Sequence, residues 1–395
     1  MSGFTLIKGK RSPDDRHADW EILKHRIKKI LRVVAMIAAL VFIIWFIHRL
    51  YQNTTFSDYE ILSKSMRQDS ETSEYIAYNG HILKLSRDGA EAFEGNGKAI
   101  WNITYEMQSP RAATCGDFVA IADKQGTEIY VASSANDKGK ISTKLPILDL
   151  CISKQGVVAA VLEDSGTSWI RLYSKSGEEL ASIKCSMAES GYPMDISLSP
   201  SGYLLGAAYT RVEGDTMRSS VAFYNFGDVG ANESDHYMSG YDFPETLIPR
   251  IKFLNDSTAF AMGTDKMIIF SGDQKPEKKY EYTFDTRIKG VFYSEDRIVL
   301  VKESVIDGGY SASVFNLSGE ELLVIPFDLD YIDLQVSKDR IVIYSDTHMI
   351  IYDMKGTVKY DGSLDDSTLL ISPTDNARRY ILVNRESVKT IKLVK

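Results

Sequence analysis

Two patterns of apolar and polar positions divide this chain. From Val33 to Ile47 every residue is apolar, and with Ile30, Leu31 and Leu50 around Arg32 and Arg49 the run reaches 21 residues. As a helix it is roughly 31 Å long, the depth of a bilayer core, with both arginines free to snorkel. From Tyr75 onward helical spacing gives way to short β-branched, aromatic and alanine-rich runs separated by Gly, Asp, Asn and Ser turns. The pattern predicts a tail over 1–29, one transmembrane helix over 30–50, a polar tether over 51–74 and a β-rich body over 75–395. Within the tail, Ser12-Pro13-Asp14-Asp15 reads as a helix start. Trp20, Leu23, Ile27 and Ile30 then recur at helical spacing opposite Lys24, Lys28 and Lys29, as in a basic amphipathic lead-in on an anionic leaflet.

The body repeats itself. A strand ending in an apolar and a small polar residue, then a Gly turn, then another strand, recurs with Leu85, Val131, Tyr173, Tyr224, Phe270, Phe315, Tyr352 and Leu393 as markers. Their intervals are 46, 42, 51, 46, 45, 37 and 41 residues. A period in the low forties with about four strands per unit is the signature of a β-propeller. Runs that are apolar on both faces, such as 204–209, 259–262 and 341–344, suit middle strands covered on both sides by neighbouring blades. Runs such as 147–153, 194–199 and 250–254 suit innermost strands. An immunoglobulin-like array would need units of about 100 residues and a Cys…Trp…Cys framework, which is lacking. The predicted fold is therefore all-β: an eight-bladed propeller, seven blades being the close alternative, preceded by one transmembrane α-helix. Because Lys395 falls just after a third strand, the last blade needs an outer strand from near Asp58–Ser63, which would close the ring beside the tether.

Charge adds orientation. Residues 1–50 hold ten Lys/Arg against four acids, whereas the remainder holds 36 against 50, a net charge of −14. By the positive-inside rule the N-terminus is cytoplasmic and the body lies outside a single-span cell membrane. An acidic body is the wrong sign for a nucleic-acid partner. A cleaved signal peptide fits poorly, because about 30 residues precede the apolar run and no Ala-x-Ala follows it.

No catalytic constellation emerges. Cys115, Cys151 and Cys185 are far apart in apolar strand-like contexts and read as small buried residues, without redox or metal chemistry. No Gly-x-Ser-x-Gly elbow is present, which argues against a membrane-anchored peptidase with a hydrolase domain. Asp164-Ser165-Gly166-Thr167-Ser168-Trp169 keeps part of a sialidase Asp box but reads as a tight hairpin turn. His81, His236 and His348 fall in different repeats, and the acidic connector Asp328, Asp330, Asp333 lacks the Gly and distal Glu of a Ca²⁺ loop. No catalytic residue, metal ligand or cofactor is assigned.

Asp195-Ile196-Ser197-Leu198-Ser199-Pro200-Ser201-Gly202 resembles the blade start of quinoprotein-like and WD40-like propellers, although Trp-Asp dipeptides are missing. The basic tail, the span, Trp101-Asn102, Gly191-Tyr192-Pro193-Met194-Asp195 and the phrase from Phe223 to Gly230 together are similar to an uncharacterised family of single-span envelope proteins of Gram-positive anaerobes. That family is known only as a domain of unknown function. The resemblance implies fold and topology and no activity.

Loop length points to a binding face. In a propeller, second-to-third hairpins and interblade connections share one face, and the longest such hairpins are 211–218 and 303–310. With the Gly191-Tyr192-Pro193 connector they nominate Tyr192, Arg211, Glu213, Asp215, Asp307 and Tyr310 as binding residues. The expected function is a non-catalytic scaffold for an envelope protein or glycan. The rival is an extracytoplasmic hydrolase or lyase at the propeller centre. Convergent acid, His and Arg groups lining the centre would favour the rival, whereas an apolar or Ser/Thr lining would favour the scaffold.

Overall fold

The computed structural model describes residues 28–32, 34–43, 54–67, 73–187, 190–303, 308–365 and 367–395. The chain divides into two compact units, Met1–Thr55 and Phe56–Lys395. In the first, the described residues 28–32 and 34–43 are helical, and Ile30, Leu31, Val34, Met36, Ile37, Leu40, Val41, Phe42 and Ile43 are all exposed. Among the described residues no helix is long and apolar enough to cross a membrane. Most of the tail, Val33 and the stretch 44–50 lie outside the described residues.

The second unit is a ring of eight four-stranded antiparallel sheets. Blades 1 to 7 take consecutive strands, spanning 74–104, 110–142, 147–185, 192–243, 250–283, 288–327 and 333–363. Blade 8 uses Thr368–Pro373, Arg379–Asn384 and Ser387–Val394, and its outer strand is Asp58–Met66 from the N-terminal side. Pairing from Asp58↔Val394 to Met66↔Ser387 fastens this seam. Covering the last blade's edge in this way removes an open ladder.

Eight apolar clusters lie between successive blades and complete the ring. One joins blades 1 and 2 through Leu83, Trp101 and Val119, and another joins blades 8 and 1 through Val383, Ile82 and Phe93. Middle strands are buried on both faces, as in Thr258–Met262 and Arg340–Tyr344, where every residue is buried. The fold matches the expected eight blades, with one correction of phase. Leu85 ends the second strand of blade 1, and the recurring phrase of that blade is carried by Phe93 at the end of the third strand, Gly89–Phe93. The short interval from Phe93 to Val131, 38 residues, had been masked by an equally apolar second strand.

Candidate functional site

Chain direction fixes the two faces of the ring. Innermost strands begin, second strands end and third strands begin on what is here called the upper face. On that face blade 4 is unlike the others. Its second and third strands, Leu204–Glu213 and Thr216–Asn225, each run ten residues and pair to the tip at Glu213↔Thr216. The second strands of the other blades run five to seven residues. Three to five extra residues at the strand rise make these strands roughly 10–16 Å longer than their counterparts in the other blades. What reads in sequence as a long loop is thus strand almost to its end, turned by Gly214 at φ +63° and Asp215.

Near the tip Val212 and Met217 are cross-strand partners, 60% and 57% exposed. Arg218 reaches Glu213 at 3.0 Å, and Arg211 lies 3.8 Å from Asp242 on the outer strand. The connector holds the base: Tyr192 pairs with Thr210, and Gly191, at φ +90°, sits so close that a Cβ would lie 2.7 Å from the Thr210 carbonyl oxygen. A groove of about 500 Å³ descends from Arg211 along the flank, lined by Lys184, Tyr224, Tyr237, Tyr241 and Asp242. The structure thus gathers Tyr192, Arg211, Glu213 and Asp215 on one blade. Tyr310 begins a third strand on the same face of blade 6, where it stacks on Phe327 and meets Tyr331 edge-on, so its ring is engaged in packing. Asp307 lies outside the described residues.

The central channel holds a second cluster that loop length did not reveal. Registers against the second strands place Arg111, Asp149, Asp195 and Arg250 on the same rung of blades 2, 3, 4 and 5. A bulge precedes each aspartate, between Ile147 and Asp149 and between Pro193 and Asp195. The two carboxyls are close enough to influence each other's ionisation. Asp195 also accepts from the Ile251 backbone N–H at 2.8 Å. Burial pushes Asp195 up to about 7, with the Asp149 charge adding and Arg250 and Lys252 opposing. Asp149 is raised for the same first reason. Each charge makes ionisation of the other carboxyl harder.

Beside them opens a cavity of about 690 Å³ lined by Asp195, Arg250, Lys252, Phe260 and Tyr293, among others. The cationic heads of Arg250 and Lys252 make no hydrogen bond or ion pair with another described residue, although Lys252 sits 5.9 Å over the Tyr293 ring. On the lower face Lys154 of blade 3 bonds Glu295 of blade 6, and Asn255 donates to the Glu295 carbonyl at 3.3 Å. Burial pushes the thiols of Cys115 and Cys151 up, away from the reactive thiolate. The hairpin turn at Ser165-Gly166, φ 50° and 86°, is the tight turn expected of the partial Asp box. His236 faces the Gly230 carbonyl and His348 faces Asp361, on separate blades. Among the described residues no three metal-ligating side chains converge.

Residues 52–393 match the family of unknown function DUF5711. The chain belongs to the DUF5711 family. The match takes in all eight blades and the closing strand, so for DUF5711 the propeller is the shared unit. None of the curated proteins compared with the chain matches it. Among solved structures, Saccharomyces cerevisiae Sqt1 is similar at a TM-score of 0.52 and 11% identity, over 87% of this chain and 99% of that one. BamB from Moraxella catarrhalis follows at 0.47 and 12%, over 85% and 100%. The likeness to Sqt1 is one of fold. A signal for the channel pair was present in the DUF5711 chain: Asp149 to Gly156 repeats the spacing of Asp195 to Gly202, with Ser153 and Ser199 at corresponding places. Both serines cap the turn below, Ser199 accepting from the Leu204 N–H at 3.0 Å and Ser153 from the Val157 N–H at 3.1 Å.

Proposed function

We propose that this chain is a membrane-anchored, extracytoplasmic propeller of the cell envelope that binds a protein partner through the upper face of blade 4. The observation that carries the reading is the projecting hairpin, with Val212 and Met217 exposed at its end and a tyrosine-lined groove at its base. Apolar and Tyr/Arg side chains on a rigid element are the usual anchors of protein interfaces. Tyr192, Arg211, Glu213 and Asp215 form the polar rim. Anchoring is supported by the apolar run 30–50, whose described part is helical with its apolar side chains uncovered, and by the basic excess before it. A helix apolar all round belongs in a protein core or in lipid.

Photo-crosslinkers at positions 212 and 217 in intact cells should trap one protein that a crosslinker at Tyr203, on the lower face, does not trap. Equal trapping from all three positions would overturn the docking surface. Protease added to intact cells should digest the propeller; its protection would overturn the topology.

The channel carboxyls favour a second reading, hydrolysis at the propeller centre, since acids and Arg250 converge there and burial raises both carboxyls. The hairpin remains the stronger observation, because carboxyls beside Arg250 and Lys252 serve ligand binding as readily as hydrolysis. Turnover of a glycan or peptide substrate that is abolished by Asp195→Asn would establish the second reading instead.

A further inference from the structure

We propose that the central channel beside blades 4 and 5 binds a small acidic saccharide, its anionic group held by Arg250 and Lys252 and its hydroxyls by Asp195 with Asp149 behind it. This site is independent of the hairpin surface, and neither depends on the other's ligand.

The lining carries both halves of the recognition. Arg250 and Lys252 face the cavity with no carboxylate of a described residue at ion-pair distance, and Lys289, the other cation of the lining, is taken by Glu303 at 3.0 Å. Two cations facing one cavity, in a body whose overall charge beyond residue 50 is −14, make a local well for an anion. Inorganic anions alone would leave the other half unused. The Asp195 carboxyl on the cavity wall accepts from a ligand hydroxyl, and in its protonated form also donates to one. The Tyr293 ring, 43% exposed and 5.5 Å from Phe260, adds an aromatic wall of the kind that packs against the apolar face of a sugar ring. The volume of about 690 Å³ falls within the range of small-molecule sites.

Access is from one side. The Lys154–Glu295 pair joins blades 3 and 6 below the cavity, and the Asn255–Glu295 bond supports it, so the lower mouth is bridged. A ligand entering from the upper face meets Arg250 first, at the start of its strand, and Lys252 two residues deeper.

Isothermal titration of the full-length protein with glucuronate, glucose 6-phosphate, glucose and sulfate tests this. Glucuronate or glucose 6-phosphate should bind saturably and at least about tenfold more tightly than glucose or sulfate, since both halves of the site are then engaged. Arg250→Gln, at an exposed position, and Lys252→Met should each weaken that binding about tenfold, and Arg250→Lys should retain part of it. Asp195→Asn should narrow the preference over sulfate by weakening the hydroxyl contacts. Absence of binding by both acidic sugars, equal binding of sulfate, or binding unaffected by Arg250→Gln would overturn the proposal.

Discussion

Asp149 and Asp195 stand on the same rung of neighbouring innermost strands, and each carboxyl raises the cost of ionising the other at the channel. The groups facing them are Arg111, Arg250 and Lys252, and the pair is raised chiefly by burial. A carboxyl raised from 3.8 to about 7 stabilises the fold fully below its unfolded pKa and loses that contribution as pH rises through about 7. Carboxylates held low by lysines, such as Glu128 by Lys140 and Glu281 by Lys266, act with the opposite sign and at more acidic pH. Asn at 195 can donate to Asp149 while still accepting from Ile251. The melting temperature of wild type relative to Asp195→Asn should therefore fall between about pH 4 and 7. Parallel melting curves across that window would show that Asp195 is not raised in the folded protein.

Arg340 clamps blade 7 to blade 8. Its buried guanidinium donates to the Thr374 carbonyl at 3.0 Å, the Asn376 carbonyl at 3.2 Å and the Tyr380 hydroxyl at 2.9 Å, while Nε reaches Asp339 at 2.9 Å. Arg340→Met should cost about 2 kcal/mol, because the buried Tyr380 hydroxyl and two part-buried carbonyl contacts lose their donor at once. Arg340→Lys should recover little, since an ammonium lacks the fork that spans them. Chemical denaturation of both variants measures this, and a loss below about 0.5 kcal/mol would show the clamp to be dispensable.

The ring was legible in sequence because each blade must bury a middle strand on both faces, and runs such as 259–262 and 341–344 carry that demand openly. The closing strand was legible from an arithmetic gap, a last blade ending after its third strand. Blade 1 misled by phase because Ile82 to Leu85 is as apolar as a third strand. The channel cluster was hidden for a different reason. Arg111, Asp149, Asp195 and Arg250 are up to 139 residues apart, and only register in adjacent blades brings them to one rung. A repeated Asp…Ser…Gly spacing reads as turn chemistry, which it also is.

The seam should be the ring's most easily opened joint. Its strand Asp58–Met66 is largely exposed, with Ile61, Leu62 and Met66 uncovered, so it is held mainly by its ladder and by Phe56 and Tyr59 packed at the cluster between blades 7 and 8. Tyr59 also accepts from the Asp365 N–H at 3.3 Å. Removing both rings with Phe56→Ala and Tyr59→Ala should cost about 2–4 kcal/mol and speed amide exchange in Ser387–Val394 before other strands. Uniform exchange across all blades would show that the ring opens as a whole.

The hairpin of blade 4 offers a separation of binding from folding. Val212 and Met217 touch solvent on a two-stranded projection, so Val212→Asp with Met217→Asp should leave stability within about 0.5 kcal/mol while abolishing the crosslinks expected at the tip. Gly191→Ala makes the opposite kind of change. Its φ of +90° disfavours any side chain, and the new methyl would press on the Thr210 carbonyl oxygen, so the connector must shift from the hairpin base at a cost of about 1–3 kcal/mol. If the connector orients the hairpin, Gly191→Ala should also reduce crosslinking from position 217, though no exposed contact has been altered. Unchanged crosslinking alongside lowered stability would assign Gly191 to folding alone and leave the hairpin as a self-sufficient docking element.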